Sequence, residues 1–526
     1  MAMHTHTLLI TTLAMLSGMA IAGEHGDIFS SCGTDAQAQS RELVGAGIMP
    51  FNSLEYHLTD EQIAALNEPQ KELLLAFERG VFSGEMAPHV CVHPDTPPKV
   101  AEAIEVFLND LWFDFSPNAF YLNTRWSGTA TNGTGLSQGD PTTLTYSFIP
   151  DGTNIVGEGT SNLHSFMNSQ IGAGTWQDRF ATALGEWADV SGLTYVYEPN
   201  DDGVNLSSGG AAGVLGVRGD VRIGGNFIDG NSGILAYNYF PNGGDMVIDT
   251  GDGSFYGNGG NSHIRLRNVV THEAGHGIGL LHVESDSDRF LMEPFIDISF
   301  VGPQMDDIRG AQRGYGDMDE NNNSFGTASD LNSLEGGGGA PFVGGNLKTI
   351  SLRSTDDNSD VDYYAVETGE PVVMTVILTP VGGQYQFTQQ GNGGGGAFFD
   401  AEAVVDLNFS VYDSSFSLVM NVNATGAGES ELQAIELPAV GDYFIIVDSA
   451  NTNNIQTYAL SLFFATLDVP DCPADFTGDG SLDFFDVSAF LTAFGNQEAA
   501  ADFVDDGSFD FFDVSAFLTA FGAGCP

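Results

Sequence analysis

Three signals predict a multidomain chain: an α+β domain, then an all-β sandwich, then a small duplicated α unit. The first is a helical run ending in His272-Glu273-Ala274-Gly275-His276, with strand-like segments before it. The second is a series of short β-type runs from Asp362 to Val447, separated by turns and a Gly391–Gly396 loop. The third is a loop-helix at Asp475–Asp486 that recurs as Asp502–Asp513. A length of 526 residues agrees with three or four units at about 150 residues each.

The His-Glu stretch carries the chemistry. His272 and His276 are four apart, so on a helix both rings project from one face, one turn above the other. That spacing lets two ring nitrogens meet one Zn²⁺ at about 2.0–2.1 Å. Gly279 falls where the helix must stop if the chain is to double back, and glycine takes the positive φ of such a turn cheaply. The turn brings His282 round as a third nitrogen and leaves a fourth position for water. Glu273 lies beside the first ligand and can take a proton from that water as it attacks a peptide carbonyl.

The extended pattern His272-Glu273-x-x-His276-x-x-Gly279-x-x-His282 resembles the metzincin zinc-protease motif. Met292, in Leu291-Met292-Glu293-Pro294, stands where that class places a methionine turn under the metal site. Gln304–Gly316 is similar to the closing helix of matrixins, Leu144–Phe148 to their first strand, Trp176–Trp187 to their first long helix and Gly219–Gly224 to their third strand. The resemblance covers about 120–316 and implies a mixed sheet, three helices, one catalytic zinc and a cleft in which an extended peptide lies against an edge strand. Vertebrate matrixins hold a second zinc with histidines, but Tyr237 and Val247 occupy those places and His263 is the one other histidine nearby. Asp245, Asp249 and Asp252 are oxygen donors there, either for Ca²⁺ or simply in an acidic surface loop.

Seventy acidic against 15 basic side chains give a formal charge of −55, which disfavours nucleic acid and anionic membranes as partners. Residues 1–22 read as an export signal, with an apolar Leu8–Ile21 core and a small-x-small site at Ala20-Ile21-Ala22; a membrane anchor is the alternative. Export predicts a secreted, extracellular and disulfide-permissive setting, with no membrane span in the mature form. Cys472 and Cys525 flank the final unit, and Cys32 and Cys91 precede the zinc domain, which favours two pairs. Cys91 also has a rival role, since Pro88–Asp95 loosely resembles the matrixin cysteine switch, in which a propeptide thiolate blocks the zinc. Residues 23–118 show helical periodicity at Leu73–Phe77 and Ile104–Leu111, as a propeptide or an N-terminal extension.

The expected boundaries are 119–316 for the zinc domain, 317–324 for a polar linker, 325–467 for the sandwich and 468–526 for the duplicated unit. Asn323–Ala328, Asp360–Tyr364 and Gly441–Tyr443 make the sandwich resemble the bacterial pre-peptidase C-terminal domain, which is appended to secreted proteases. In the first repeat Asp475, Thr477, Asp479, Ser481, Asp483 and Asp486 match the donor positions of an EF-hand-like calcium loop. In the second Asp502, Asp506, Ser508, Asp510 and Asp513 match, but Val504 replaces one donor, so weaker binding is expected. The duplicated loop-helix resembles a dockerin, which implies one or two Ca²⁺ and a cohesin-like or surface-scaffold partner; the alternative is a calcium-stabilised end cap. The function expected is a secreted zinc metalloendopeptidase acting on protein or peptide substrates. The alternative is a calcium-dependent adhesion or scaffold component with a vestigial protease domain.

Overall fold

A computed structural model describes residues 54–83, 88–111, 122, 124–207, 210–285, 289–357, 359–388, 397–449, 453–467 and 472–524. Residues 1–53, which include the expected export signal and Cys32, lie outside the described residues, as does Cys525.

The N-terminal segment is helical, as its periodicity predicts. Helices α1 (Leu54–His57), α2 (Asp60–Ala65) and α3 (Glu68–Ser83) precede strand β1 (His89–Val92) and helix α4 (Pro98–Leu111). A capping box at Thr59 and Gln62 starts α2. Leu73, Leu74, Phe77, Ile104, Phe107 and Leu108 are buried and pack against Ile234, Tyr237 and Val247 of the next domain. Tyr237 and Val247 therefore serve as core: they are register partners on adjacent strands, and the Phe77 ring meets Tyr237 edge-on at 5.3 Å.

The α+β domain holds β2 (Thr142–Phe148), α5 (Leu163–Gln170), α6 (Thr175–Ala188), β3 (Leu193–Tyr197), β4 (Val221–Asn226), β5 (Ile234–Asn238), β6 (Met246–Asp249), α7 (Ile264–Gly277) and α8 (Met305–Tyr315). The sheet order is β1-β5-β6-β4-β2-β3. Strands β2, β3, β4 and β6 run parallel, whereas β5 is antiparallel to β6 and would be the edge if β1 were not paired to it. Alternation along β6 sends Met246 and Ile248 into the core beneath α6 and α7, and sends Val247 to the opposite face. Trp187 of α6 is fully buried and its indole N–H donates to the Thr271 carbonyl at 2.8 Å, which fixes α7 one residue before its first histidine.

The sandwich stacks a four-stranded sheet on a five-stranded one. The first has the order β7 (Leu347–Thr355), β14 (Gln456–Thr466), β9 (Val372–Pro380), β12 (Glu431–Leu437). The second has Ser329–Asp330, β8 (Asp362–Thr368), β13 (Gly441–Ser449), β10 (Leu407–Asp413) and β11 (Leu418–Val422). Burial alternates strictly along β9, as a strand with one face on the core requires. A hairpin of Gln384–Thr388 and Ala397–Asp400 leaves this domain to pair with Glu284–Ser285, placing Tyr385 4.9 Å from Phe290.

Residues 317–324, polar enough to predict a linker, are built into the junction instead. Asp317 and Asn322 are fully buried, and the Asp317 carboxylate accepts the Ser354 N–H at 2.9 Å. Glu320, Asp356 and Asp360 crowd the same place, and burial is the largest effect raising each carboxyl: to about 7 for Asp317, 10 for Glu320, 9 for Asp356 and 6 for Asp360. The duplicated unit ends the chain with α9 (Phe484–Asn496) and α10 (Phe511–Ala523). Its equivalent rings Phe490 and Phe517 stack at 4.0 Å across the repeat.

The junction carboxyls favour their protonated forms in the fold. Their contribution to stability is complete near pH 4 and is lost as pH rises through about 6–10. In chelator, the thermal midpoint is expected to fall over that range, and a Glu320→Gln/Asp356→Asn double variant to fall less steeply. Calorimetry at a series of pH values checks this; equal slopes contradict it.

Candidate metal centre and its covering strand

Helix α7 presents His272 and His276 on one face, and the turn at Gly279 returns His282 to them. The three Nε2 atoms lie 3.0–3.1 Å apart. Three nitrogens about 2.0–2.1 Å from one tetrahedral ion would stand about 3.3–3.4 Å apart, so the triangle suits a single zinc with slight expansion. The opposite nitrogens fix the tautomers. His272 Nδ1 lies 2.7 Å from the Leu291 carbonyl, and His276 Nδ1 lies 2.7 Å from the Leu280 carbonyl. His282 Nδ1 faces Glu105 of α4 at 3.5 Å. With Nδ1–H donating outward, each Nε2 lone pair faces the common centre. Burial keeps the rings neutral, pushing His272 down to about 3 and His276 well below the usual imidazole range. Neutral imidazoles are what a metal requires of them.

Gly279 has φ +109°, and a Cβ there would lie 1.8 Å from the Thr124 carbonyl oxygen, so only glycine fits. Gly275 matters for a reason that the motif does not reveal. A Cβ there would meet the Met292 sulfur at 2.3 Å, so the methionine turn packs directly under the helix. Asp307 of α8 holds that turn: its carboxylate accepts the N–H groups of Leu291 at 2.7 Å and Met292 at 3.1 Å. Leu291 in turn supplies the carbonyl opposite His272. Trp126 donates to the Gly277 carbonyl at 2.8 Å and Tyr315 to the Ile278 carbonyl at 2.8 Å, tying down the end of α7.

Glu273 is fully buried, and neither oxygen accepts a hydrogen bond of good geometry. Burial pushes its carboxyl up to about 8, and the adjacent Cys91 thiol and backbone pull it partly back. Cys91 is a free, fully buried thiol. The pairing of Cys32 with Cys91 expected from the sequence is therefore corrected: the Cys91 sulfur is unbonded and enclosed on the cleft side of its strand. Cys472 is disulfide-bonded, with its partner outside the described residues.

The strand that carries Cys91 fills the cleft. Register pairs His89 with Asn238 and Cys91 with Ala236 on β5. On its other side the Val92 N–H donates to the Pro294 carbonyl at 3.2 Å. Alternation turns Val90 and Val92 into the N-terminal core and turns His89 and Cys91 toward α7. A four-residue strand with its partner so far along the chain leaves no periodic signal, so neither it nor the contacts of His89, Glu105 and Asp307 were evident from the sequence.

Asp245, Asp249 and Asp252 do not converge. The Asp249 carboxylate accepts N–H groups of Ile228, Asp229, Gly230 and Gly251, while Asp245 sits at the other end of β6 and accepts the Arg222 N–H. Among the described residues, Glu320, Asp360 and Asp362 at the junction are a group that could hold a cation. In the tail, Asp475 accepts the N–H groups of Gly478, Asp479 and Gly480, and Asp486 accepts from Thr477 and Asp483. Asp483 caps α9, and Asp479 accepts the Ser481 N–H. The second loop repeats this through Asp502, Asp506, Ser508, Asp510 and Asp513, without the hydroxyl bond that Thr477 adds in the first.

With this geometry in place, comparison with known proteins gives residues 162–316 as a match to the family described as matrixin. That segment is similar to matrixin domains. Similar proteins are a hatching enzyme of Paracentrotus lividus (28% identical over 158 residues, 28% of this chain and 24% of the relative) and matrix metalloproteinase-16 of Rattus norvegicus (31% over 151 residues, 26% and 23%). The human matrix metalloproteinase-16 is 36% identical over 99 residues, 18% of this chain and 16% of the relative. The chain thus spans about a quarter or less of the length of these relatives. A solved pre-peptidase C-terminal domain of a collagenase from Bacillus anthracis aligns at 13% identity and TM-score 0.15, covering 23% of this chain and 91% of that one.

Replacing Asp307 by Ala frees the turn that orients His272. Zinc affinity is expected to fall roughly 10- to 100-fold, as for loss of other groups behind metal ligands. Competition with a chromophoric chelator measures it, and unchanged affinity contradicts the role assigned to Asp307.

Proposed function

We propose that this chain is a zinc-dependent endopeptidase of the metzincin class, with His272, His276 and His282 as metal ligands and Glu273 as general base. The observation that carries the reading is the 3.0–3.1 Å Nε2 triangle next to Glu273 within a matrixin domain. Zinc bound there would supply a Lewis acid and would lower the pKa of its water towards about 7. Glu273, its carboxyl raised by burial, is suited to take that water's proton and return it to the leaving amine. Met292 and Gly275 floor the site, and the edge of β5 gives main-chain groups to an extended peptide. An intact base and ligand set argue against a vestigial protease domain.

The tail is proposed as a calcium-loaded, dockerin-like docking unit. Equivalent pairs Phe484-Phe485 and Phe511-Phe512 are exposed at the helix starts, between 65% and 76%, which favours a protein partner over a plain end cap. Export is proposed from residues 1–22, and among the described residues no helix is long and apolar enough to cross a membrane.

Glu273→Gln is expected to keep one zinc per chain and to lower gelatin cleavage at least about 100-fold, assayed after quenched trypsin treatment that frees the cleft. Equal cleavage by variant and wild type would sink the assignment. Calcium titration of the tail should resolve a tighter and a weaker site, with Asp475→Ala removing the tighter one; two equal sites would contradict the reading of Thr477 and Val504.

A further inference from the structure

The covering strand brings a fourth imidazole to the metal site. His89 is 1% exposed, and its ring centroid lies 5.0 Å from that of His276 and 4.9 Å from that of His282. The ligand nitrogens of His89, His276 and His282 all lie within 4.8 Å of one another, a grouping that can share one ion. Cys91, two residues on and on the same strand face, meets Glu273 instead. Two side chains of one strand thus divide the catalytic machinery between them, one at the metal position and one at the base.

We propose that His89 is a fourth protein ligand to the metal held by His272, His276 and His282, so that strand β1 closes the open coordination position and keeps the intact chain silent. The inference rests on the zinc reading above and extends it to how the site is shut. A site with three protein ligands and one water is catalytic, whereas four protein ligands make a closed, structural centre. The strand is well anchored for this task. It pairs with β5 along its whole length, Val90 and Val92 are fully buried in the N-terminal core, and His93 N–H reaches the Gly233 carbonyl at 2.7 Å. Helix α4 of the same segment adds Glu105 behind His282. The latch is therefore a histidine, and the Cys91 thiol, whose segment loosely resembles the cysteine switch, lies against the base instead. Activity requires the strand to leave.

X-ray absorption at the zinc edge of the intact chain tests this without any substitution. Four imidazole nitrogens and no sulfur or water oxygen are expected. In His89→Ala an oxygen replaces one nitrogen, and acetohydroxamate, which needs an open position, binds at least tenfold more tightly than to wild type. Cys91→Ser should leave the four-nitrogen shell unchanged. Three nitrogens plus oxygen in wild type, or a sulfur ligand lost in Cys91→Ser, overturns the proposal while leaving the zinc reading intact. Failure of the intact chain to hold zinc at all overturns both.

Discussion

The convergence of three imidazole nitrogens on one point governs the α+β domain. Three Nε2 lone pairs 3.0–3.1 Å apart in a dry interior repel one another unless a cation joins them. The fold spends much of its polar structure holding them there. Carbonyls of Leu291 and Leu280 and the Glu105 carboxylate set the ring orientations. Asp307, Trp126, Tyr315 and Trp187 fix the backbone from which these groups project. Each is buried, so each is positioned by packing as well as by hydrogen bonding.

The same centre explains why the N-terminal segment folds onto the domain. An edge strand left unpaired beside a cleft is a template for any extended chain. Here β1 takes that place and brings His89 and Cys91 with it. The helices around it add an apolar core with Tyr237 and Val247, so the face that carries histidines in the resembled family is given over to packing. The sandwich touches the opposite side: Gln312 and Arg313 of α8 donate to the carbonyls of Leu352 and Asn453, and the Arg309 guanidinium sits over Phe399 at 4.7 Å. Both neighbours thus bear on elements that frame the three histidines.

What the sequence revealed follows from physics that is local. The i, i+4 spacing of His272 and His276, the alternation along Val372–Pro380 and the duplication of Asp475–Asp486 all lie within single elements or adjacent turns. Interactions between distant segments were not legible. His89-Val90-Cys91-Val92 is too short to show a period, and its partner strand lies beyond helix α4 and half the domain. The 317–324 run looked like a linker because it is polar and built of turn-forming residues, yet Asp317 and Asn322 are buried where the sandwich meets the preceding domain. Nothing local marks Gly275 as a position that admits no side chain, because the Met292 sulfur that would clash with one comes from a separate turn.

The central claim is that one metal sits among the three histidines. Anomalous diffraction from crystals of the zinc-loaded chain, collected on both sides of the zinc edge, tests it most directly. A single strong peak about 2.0–2.1 Å from the Nε2 atoms of His272, His276 and His282 is the result expected. A zinc peak elsewhere, with those three nitrogens bridged by no ion, would contradict it.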